Sequence, residues 1–186
     1  LFPAISLTET DKTFDYYFLI DDRIEQIIKK KKLKYFKIFS SSLKINPLLP
    51  IKLAKIIFGF LQSVLLFIKH KPHIVVGFGG YTSIPSILAA KILKIKIIIH
   101  EQNAVMGKTN RLLSYFTKNI ALTFKNTKYA KNCSIHTGIP VRQKKKRAYS
   151  KSKLKRIFVV GGSQGARVFS KLVPKLIENF SSRSKT

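Results

Sequence analysis

The stretch of the sequence best suited to chemistry is a run of four polar residues, His100 to Asn103, which directly follows the apolar run Ile97 to Ile99. In an open α/β sheet, ligands bind at the carboxyl ends of the strands. The amide of Asn103 can donate hydrogen bonds to a sugar and accept them from it. We therefore expect these residues to contribute to a binding site at the end of a strand.

Glu101 is the candidate catalytic residue in this run. It is the only acidic residue between Glu25 and Glu178, in a strongly basic chain, and surrounding positive charge favours the ionised carboxylate. Such a carboxylate can act as a general base or as a hydrogen-bond acceptor. The alternative is that Glu101 and His100 brace neighbouring loops, and the sequence leaves both interpretations open.

The first of two glycine-rich segments, VVGFGGYTSIP, spans residues 75–85 and contains Gly79, Gly80 and Tyr81. Glycine lets the backbone turn tightly and approach a ligand, and the helix that follows offers free N–H groups to a phosphate. The pattern predicts a phosphate-binding loop. A tight strand-to-helix turn without a ligand is the alternative.

The second glycine-rich segment, FVVGGSQGAR, spans residues 158–167 and has Ser163, Gln164 and Gly165 at the start of a predicted helix. It matches neither the Walker pattern nor the full dinucleotide fingerprint. Its position between a strand and a helix nevertheless favours binding of a nucleotide phosphate.

Arg142 belongs to a third turn, TGIPVRQ, at residues 137–143. An arginine at a junction between domains can clamp a diphosphate through paired hydrogen bonds. Taken alone, an ordinary surface arginine is the alternative.

The elements that must position these residues alternate between strands and helices. Strands are predicted at residues 14–20, 33–39, 73–76, 96–99, 119–123 and 157–160, and helices at 24–32, 51–70, 83–93, 109–116 and 166–180. This alternation is typical of a parallel sheet in the α/β class. We expect one domain at residues 1–142, a basic linker at 143–155 and the beginning of a second domain at 156–186.

The helix predicted at residues 51–70 has a wide apolar arc that includes Ile57, Phe60 and Val64. Such an arc can pack on a sheet or dip into a membrane surface. The apolar stretch 56–68 is shorter than the roughly 20 residues that a transmembrane helix needs, so the sequence predicts no membrane span here.

The composition is strongly basic, with 36 Lys and Arg against 8 Asp and Glu and a net charge of +28. This charge favours contact with nucleic acid, acidic lipid or phosphorylated substrates, or it is simply spread over a solvated surface. Cys133 is the single cysteine, which excludes an internal disulfide and a cysteine-based zinc site. We expect Cys133 to be buried, in a cytoplasmic protein.

The motifs GGYTSIP, HEQN, GIPVR and VVGGSQGAR together resemble, in order and spacing, those of the MurG family of bacterial peptidoglycan glycosyltransferases. The close match covers residues 72–142 and 156–173. Members of that family transfer N-acetylglucosamine from UDP-GlcNAc onto lipid I, which gives lipid II. The resemblance implies a GT-B fold of two Rossmann-like domains, the second truncated here, and an inverting transfer without metal or cofactor.

The resemblance also implies a role for individual residues on the donor side. The positions that match contacts to UDP-GlcNAc, or that lie in the same donor loop, are Asn103, Arg142, Ser163, Gln164 and Gly165.

On the acceptor side, the resemblance implies that Gly79, Gly80 and Tyr81 face the acceptor diphosphate. It also places the helix at 51–70 against the membrane, which its apolar arc and flanking lysines favour independently because cationic residues bind anionic lipids. The implied partners are UDP-GlcNAc, lipid I and the cytoplasmic face of the bacterial plasma membrane, with peripheral attachment and no nucleic acid.

The chain also departs from the family pattern. The family's first glycine loop, GGTGGH, with the histidine proposed as general base, would precede Leu1, and the uracil-, ribose- and sugar-binding positions would follow Thr186. Ile139 stands where the family commonly has asparagine. We therefore expect a fragment that cannot catalyse transfer alone. The alternatives are another GT-B enzyme that uses a UDP-sugar, or a non-catalytic basic remnant that binds membrane or nucleic acid.

Overall fold

The computed structural model describes residues 1–42, 47, 49–141 and 172–178. The chain divides into two compact units, Leu1–Lys144 and Lys145–Thr186. In the second unit the described residues, 172–178, form a helix. The predicted linker, the predicted strand at 157–160 and the second glycine segment lie outside the described residues.

The first unit is built from strands and helices in alternation. Its helices are α1 (Phe2–Thr10), α2 (Glu25–Lys30), α3 (Leu49–His70), α4 (Ser83–Ile92) and α5 (Lys108–Leu113), with a 3₁₀ turn at Asp22–Ile24. Its strands are β1 (Phe18–Ile20), β2 (Tyr35–Lys37), β3 (Ile74–Gly77), β4 (Lys96–Glu101), β5 (Ile120–Leu122) and β6 (Ile135–His136). The predicted α/β class is confirmed.

The strands pair in two parallel sheets. One has two strands, β1 and β2, and the other has four in the order β3-β4-β5-β6. Its register pairs Ile99 with both Gly77 and Ile120. Because the pairing is parallel throughout, the carboxyl ends of β3 to β6, and the loops that follow them, lie at one edge of the four-stranded sheet.

The main core lies between that sheet and the helices α3, α4 and α5. Its buried members include Phe67, Ile87, Ile99 and Leu113. Burying an aliphatic or aromatic side chain of this size contributes about 1.5–3 kcal/mol, so this layer holds β3 and β4, whose ends carry the candidate site, in place.

The helix α3 lies unusually close to the backbone of the segment after β2. A Cβ atom built on Gly59 would be 1.8 Å from the carbonyl oxygen of Phe39, and the backbone N–H of Phe39 donates to Oε1 of Gln62 at 2.9 Å. Only glycine permits this approach. One face of α3 is thus fixed against the protein, where Ser63 is fully buried.

The opposite face of α3 is apolar and open to solvent. Its large side chains include Ile57, Phe58, Leu61, Leu65 and Ile68, all at least 49% exposed. The helix has 22 residues, and its most apolar 18-residue window has a mean hydropathy of 2.0, so among the described helices it is the one that could cross a membrane by length and composition. The expectation that this segment is too short was wrong, because the helix extends beyond the apolar run on both sides.

Two other expectations were wrong. Phe14 to Tyr17 are not part of β1, which begins at Phe18, because the β1–β2 ladder pairs three residues of each strand. Cys133 is exposed rather than buried, since it lies in the loop between β5 and β6 and not under a helix.

Candidate active site

The candidate site is built on the loops that follow β3, β4 and β6. The glycine loop after β3 covers residues 78–82, the loop after β4 covers 102–107, and the turn after β6 contains Gly138. Side-chain hydrogen bonds join the end of β4 to the loop after it and to the turn after β6, and Asn110 lies against the glycine loop.

Glu101 is the centre of this network. It is the last residue of β4 and is 1% exposed. Its Oε1 accepts from the backbone N–H of Asn103 at 3.0 Å and from Asn103 Nδ2 at 2.9 Å. Its Oε2 accepts from the backbone N–H of Gly107 at 3.0 Å and from Asn110 Nδ2 at 2.8 Å.

These contacts decide the protonation state of Glu101. Burial alone would raise the pKa of this carboxyl, but the hydrogen bonds from Gly107, Asn110 and Asn103 together bring it below its ordinary value. A buried carboxylate with a lowered pKa and four donors within the chain is a poor general base. The geometry therefore favours the bracing interpretation of Glu101 over the catalytic one.

His100 links the same strand end to the turn after β6. Its Nε2 lies 3.0 Å from the carbonyl oxygen of Gly138, and its Nδ1 lies 3.1 Å from Nε2 of Gln102. Because the Gln102 amide nitrogen is a donor, and also donates to the carbonyl oxygen of His100 at 2.7 Å, Nδ1 accepts. The proton is then on Nε2, which donates to Gly138.

Asn103 projects from this braced loop. Asn103 is exposed, and its side-chain nitrogen donates to Oε1 of Glu101. Within the described residues its Oδ1 has no hydrogen-bond partner, so this oxygen is available to accept from a ligand. The brace fixes the orientation of the amide, which prepares it for that contact.

The glycine loop after β3 needs glycine at two successive positions. Gly79 and Gly80 both have φ of +80°, and a Cβ on Gly79 would lie 3.2 Å from Nδ2 of Asn110. Ser83 Oγ donates to the carbonyl oxygen of Gly79 at 2.8 Å. At Gly80 a Cβ would meet open space, so the loop is packed on one side and open on the other.

Asn110 joins the glycine loop to the Glu101 network, and sequence reasoning missed it. It is 2% exposed, donates to Glu101 and lies against Gly79. Its Oδ1 is a buried acceptor without a partner in the described residues. A polar residue at the second position of the predicted helix was the available signal, but its partners depend on the tertiary fold.

Arg23 and Asp21 were also missed. They follow β1, and the Arg23 guanidinium lies 5.1 Å from the centroid of the Tyr81 ring. The helix predicted at 24–32 begins at the last residue of the 3₁₀ turn Asp22–Ile24, and no sequence pattern indicated that Arg23 would lie beside the glycine loop.

The other predicted positions divide into two groups. Arg142, Ser163, Gln164 and Gly165 lie outside the described residues. Of the three positions expected at a membrane, Ile57 is exposed, whereas Phe60 and Val64 are half-buried against the main core.

A cavity of about 330 Å³ lies next to His100. Its lining includes Phe78, Gly138 and Ile139, so the turn after β6 forms one of its walls. Within the described ranges, no three His, Cys, Asp or Glu side chains gather closely enough to hold a metal ion.

Comparison with known proteins gives the family of this chain. A profile described as the glycosyltransferase family 28 N-terminal domain matches residues 1–122. The chain belongs to glycosyltransferase family 28. The match spans α1 to β5 and so includes Glu101, Asn103 and the glycine loop.

Curated relatives support the resemblance to MurG in the sequence. The UDP-N-acetylglucosamine--N-acetylmuramyl-(pentapeptide) pyrophosphoryl-undecaprenol N-acetylglucosamine transferase of Rickettsia canadensis is 37% identical over 188 residues, which are 95% of this chain and 52% of the relative. The enzyme of the same name from the Wolbachia of Brugia malayi is 46% identical over 112 residues, covering 60% of this chain and 33% of that protein. The chain thus spans about half the length of the first of these relatives.

The fold of the family 28 chain resembles a solved structure. The crystal structure of Acinetobacter baumannii MurG matches with a TM-score of 0.69 and 25% identity, covering 94% of this chain and 50% of that one. The recognition of the MurG family and the GT-B fold class predicted from the motifs are confirmed.

Proposed function

We propose that this chain takes part in the transfer of N-acetylglucosamine from UDP-GlcNAc to lipid I, which forms lipid II for the bacterial cell wall. The observation that carries the proposal is the hydrogen-bond network of Glu101. It holds the exposed amide of Asn103 and, through Asn110, the glycine loop at one edge of the sheet. A donor-binding residue and an acceptor-binding loop then meet at the same place.

The reaction we propose is an inverting transfer. The 4-hydroxyl oxygen of the acceptor sugar forms a bond to the anomeric carbon, the bond from that carbon to UDP breaks, and the hydroxyl proton passes to a base. Gly79, Gly80 and Tyr81 face the acceptor diphosphate. The positions that serve UDP-GlcNAc are Asn103, Arg142, Ser163, Gln164 and Gly165.

Glu101 contributes to this reaction by positioning. Its two oxygens are occupied by four donors of the chain, so it fixes the Asn103 amide and the start of α5 rather than removing the proton. Preorganised hydrogen-bonding groups of this kind lower the cost of orienting the substrate.

The acceptor is a membrane lipid, and α3 provides a surface that suits a membrane. Its exposed apolar face and the surrounding lysines favour peripheral contact with anionic headgroups on the cytoplasmic face of the plasma membrane. The opposite face of α3 packs on the main core and lies against Phe39, which supports attachment at the surface over a span. Cell shape and division would depend on the product.

A hybrid enzyme tests the proposed function. Residues 1–141 of this chain would replace the matching segment of the Rickettsia canadensis relative, and transfer from radiolabelled UDP-GlcNAc to lipid I would be measured. We expect the hybrid to form labelled lipid II and to lose most of this activity when Asn103 is changed to Ala. A folded hybrid without transfer, beside an active parent enzyme, would contradict the proposal.

A further inference from the structure

A stacking contact links two parts of the first unit that no strand pairing connects. Arg23 follows β1, which belongs to the two-stranded sheet, and Tyr81 follows β3, which belongs to the four-stranded sheet. The guanidinium carbon of Arg23 lies 5.1 Å from the centroid of the Tyr81 ring. At this distance the cation is attracted to the ring face.

Asp21 holds the guanidinium of Arg23 in place. Arg23 Nε donates to Oδ2 of Asp21 at 2.7 Å, and Nη2 donates to the same oxygen. The other carboxylate oxygen of Asp21 accepts from the backbone N–H of Arg23 at 3.2 Å. Asp21 is itself largely covered, with a side chain 16% exposed. The planar cation is therefore oriented before any ligand arrives.

The glycine loop that contains Tyr81 is open to solvent on one side. Gly79 and Gly80 both have positive φ, and open space surrounds the position of a Cβ on Gly80. Successive glycines lose much conformational freedom when they are fixed. A tyrosine ring that rests on an oriented cation limits the conformations of the residues directly before it.

We propose that Arg23 is a positioning residue for the acceptor. Held by Asp21, it fixes the ring of Tyr81 and, through it, the Gly79–Gly80 loop in the conformation that receives the acceptor diphosphate. The identity of this ligand rests on the proposed function, whereas the contact between Arg23 and Tyr81 does not.

The test combines single and double variants of this chain. A water-soluble lipid I analogue with a short prenyl diphosphate would be titrated into the wild type, Arg23→Met, Tyr81→Leu and the double variant. We expect Arg23→Met to weaken binding by about two- to fivefold. Since Arg23 acts through the ring, the double variant should bind no more weakly than Tyr81→Leu alone.

A matched control tests whether removing an arginine from any tyrosine ring would weaken analogue binding in the same way. Arg111 lies 4.5 Å from the centroid of the Tyr129 ring, and Tyr129 belongs to the loop between β5 and β6 rather than to the glycine loop. Arg111→Met removes the same kind of contact and should bind the analogue as the wild type does. The urea midpoint of each variant would show that the fold is intact.

Amide hydrogen exchange provides a readout that needs no ligand. We expect residues 78–82 to exchange faster in Arg23→Met than in the wild type or Arg111→Met, at an unchanged urea midpoint. Equal exchange in the three proteins would overturn the proposal.

Two results of the analogue titration would also overturn the proposed role of Arg23. One is unchanged analogue binding by Arg23→Met. The other is additive losses in the double variant, which would mean that Arg23 contacts the ligand directly. If the wild type bound no analogue, the proposed function would fail, and the exchange experiment would still decide the role of Arg23.

Discussion

At the scale of single residues, one buried carboxylate connects three segments of the candidate site. Glu101 receives hydrogen bonds from the side chain and backbone of Asn103, from the backbone of Gly107 and from Asn110. Because Asn110 also lies against Gly79, a change at Glu101 should affect the Asn103 amide and the glycine loop together.

Replacing Glu101 by Gln tests this arrangement. One oxygen of the carboxylate becomes an NH₂ group that faces N–H donors, so about two of the four hydrogen bonds are lost and donors remain unpaired. We expect the free energy of unfolding to fall by about 2–4 kcal/mol, measured by urea denaturation near neutral pH. The control is Glu25→Gln, which removes ion pairs to the surface lysines Lys29 and Lys37 and should shift the urea midpoint much less. A urea midpoint of Glu101→Gln equal to that of the wild type would contradict the stabilising role of the four hydrogen bonds.

The pH dependence of stability gives a second prediction for the same residue. The pKa of Glu101 is lowered from its ordinary value of 4.5 in the folded protein, so the unfolded chain binds the proton more tightly. The carboxylate thus adds stability above that value, and the gain is lost as the pH falls through the lowered pKa. The stability difference between wild type and Glu101→Gln should narrow in acid. A difference that stays constant down to about pH 3 would count against a depressed pKa.

The sequence predicted a binding site at the polar run of residues 100–103 because the abrupt change from apolar to polar residues can be recognised from the sequence alone. It could not distinguish catalysis from bracing at Glu101. That distinction depends on Gly107 and Asn110, which reach the carboxylate only after α5 has folded back over the end of β4. Arg23 was missed for the same reason, since its partner Tyr81 is distant in the sequence.

At the scale of elements, the position of α3 depends on one glycine. Replacing Gly59 by Ala would place a methyl group 1.8 Å from the carbonyl oxygen of Phe39, which belongs to the backbone and cannot rotate away. We expect a loss of about 1–3 kcal/mol in the free energy of unfolding, despite the better helix propensity of alanine.

A second glycine serves as the control for this substitution. A Cβ on Gly107 would meet Oε2 of Glu101 at 3.8 Å, an ordinary contact, and its φ of −64° suits any residue. Gly107 is the N-cap of α5, where alanine is less favourable than glycine, so Gly107→Ala should cost about 0.5–1 kcal/mol and less than Gly59→Ala. If both variants had the same midpoint in urea or heat denaturation, the close contact of α3 with the Phe39 backbone would be contradicted.

The elements predicted best are those with a continuous apolar pattern. β3, β4 and α4 lie within two residues of their predicted bounds, because their apolar residues face the main core. The end of α5 and the start of β1 were predicted poorly. Phe14 to Tyr17 are aromatic and favour a strand by composition, but the length of a strand is set by its partner, and β2 has only three residues. No sequence pattern had predicted α1.

At the scale of the whole molecule, charge and apolar surface are distributed unevenly. Glu101 is the only acidic residue between Glu25 and Glu178, and it is buried. The lysines of residues 49–141 therefore lie on a surface without exposed carboxylates nearby in the sequence. Together with the exposed face of α3, this combination suits an anionic membrane better than either feature alone.

Binding to lipid vesicles tests this surface. The variant Phe58→Ser/Leu65→Ser removes two apolar side chains that are 60% and 68% exposed, so the fold should be unaffected. We expect binding to anionic vesicles to fall by about a hundredfold or more, because each of the two side chains contributes about 1.5–3 kcal/mol when it is buried in lipid.

The control for the vesicle experiment is Leu112→Ser, at a leucine of α5 that is 43% exposed. It should bind as the wild type does, and wild-type binding should weaken in high salt or with zwitterionic vesicles. Equal binding by the wild type and the α3 variant would exclude α3 as the membrane-facing element.

The most direct measurement of the central claim is a titration of this chain with two soluble acceptor analogues, one with a diphosphate and one with a monophosphate between sugar and prenyl chain. If the edge of the sheet carries the acceptor site, the diphosphate analogue binds saturably and the monophosphate analogue binds several-fold more weakly. Gly80→Ala should weaken the former, since positive φ costs alanine about 1–2 kcal/mol. Equal affinity for both analogues, or no saturable binding of either, would contradict the account.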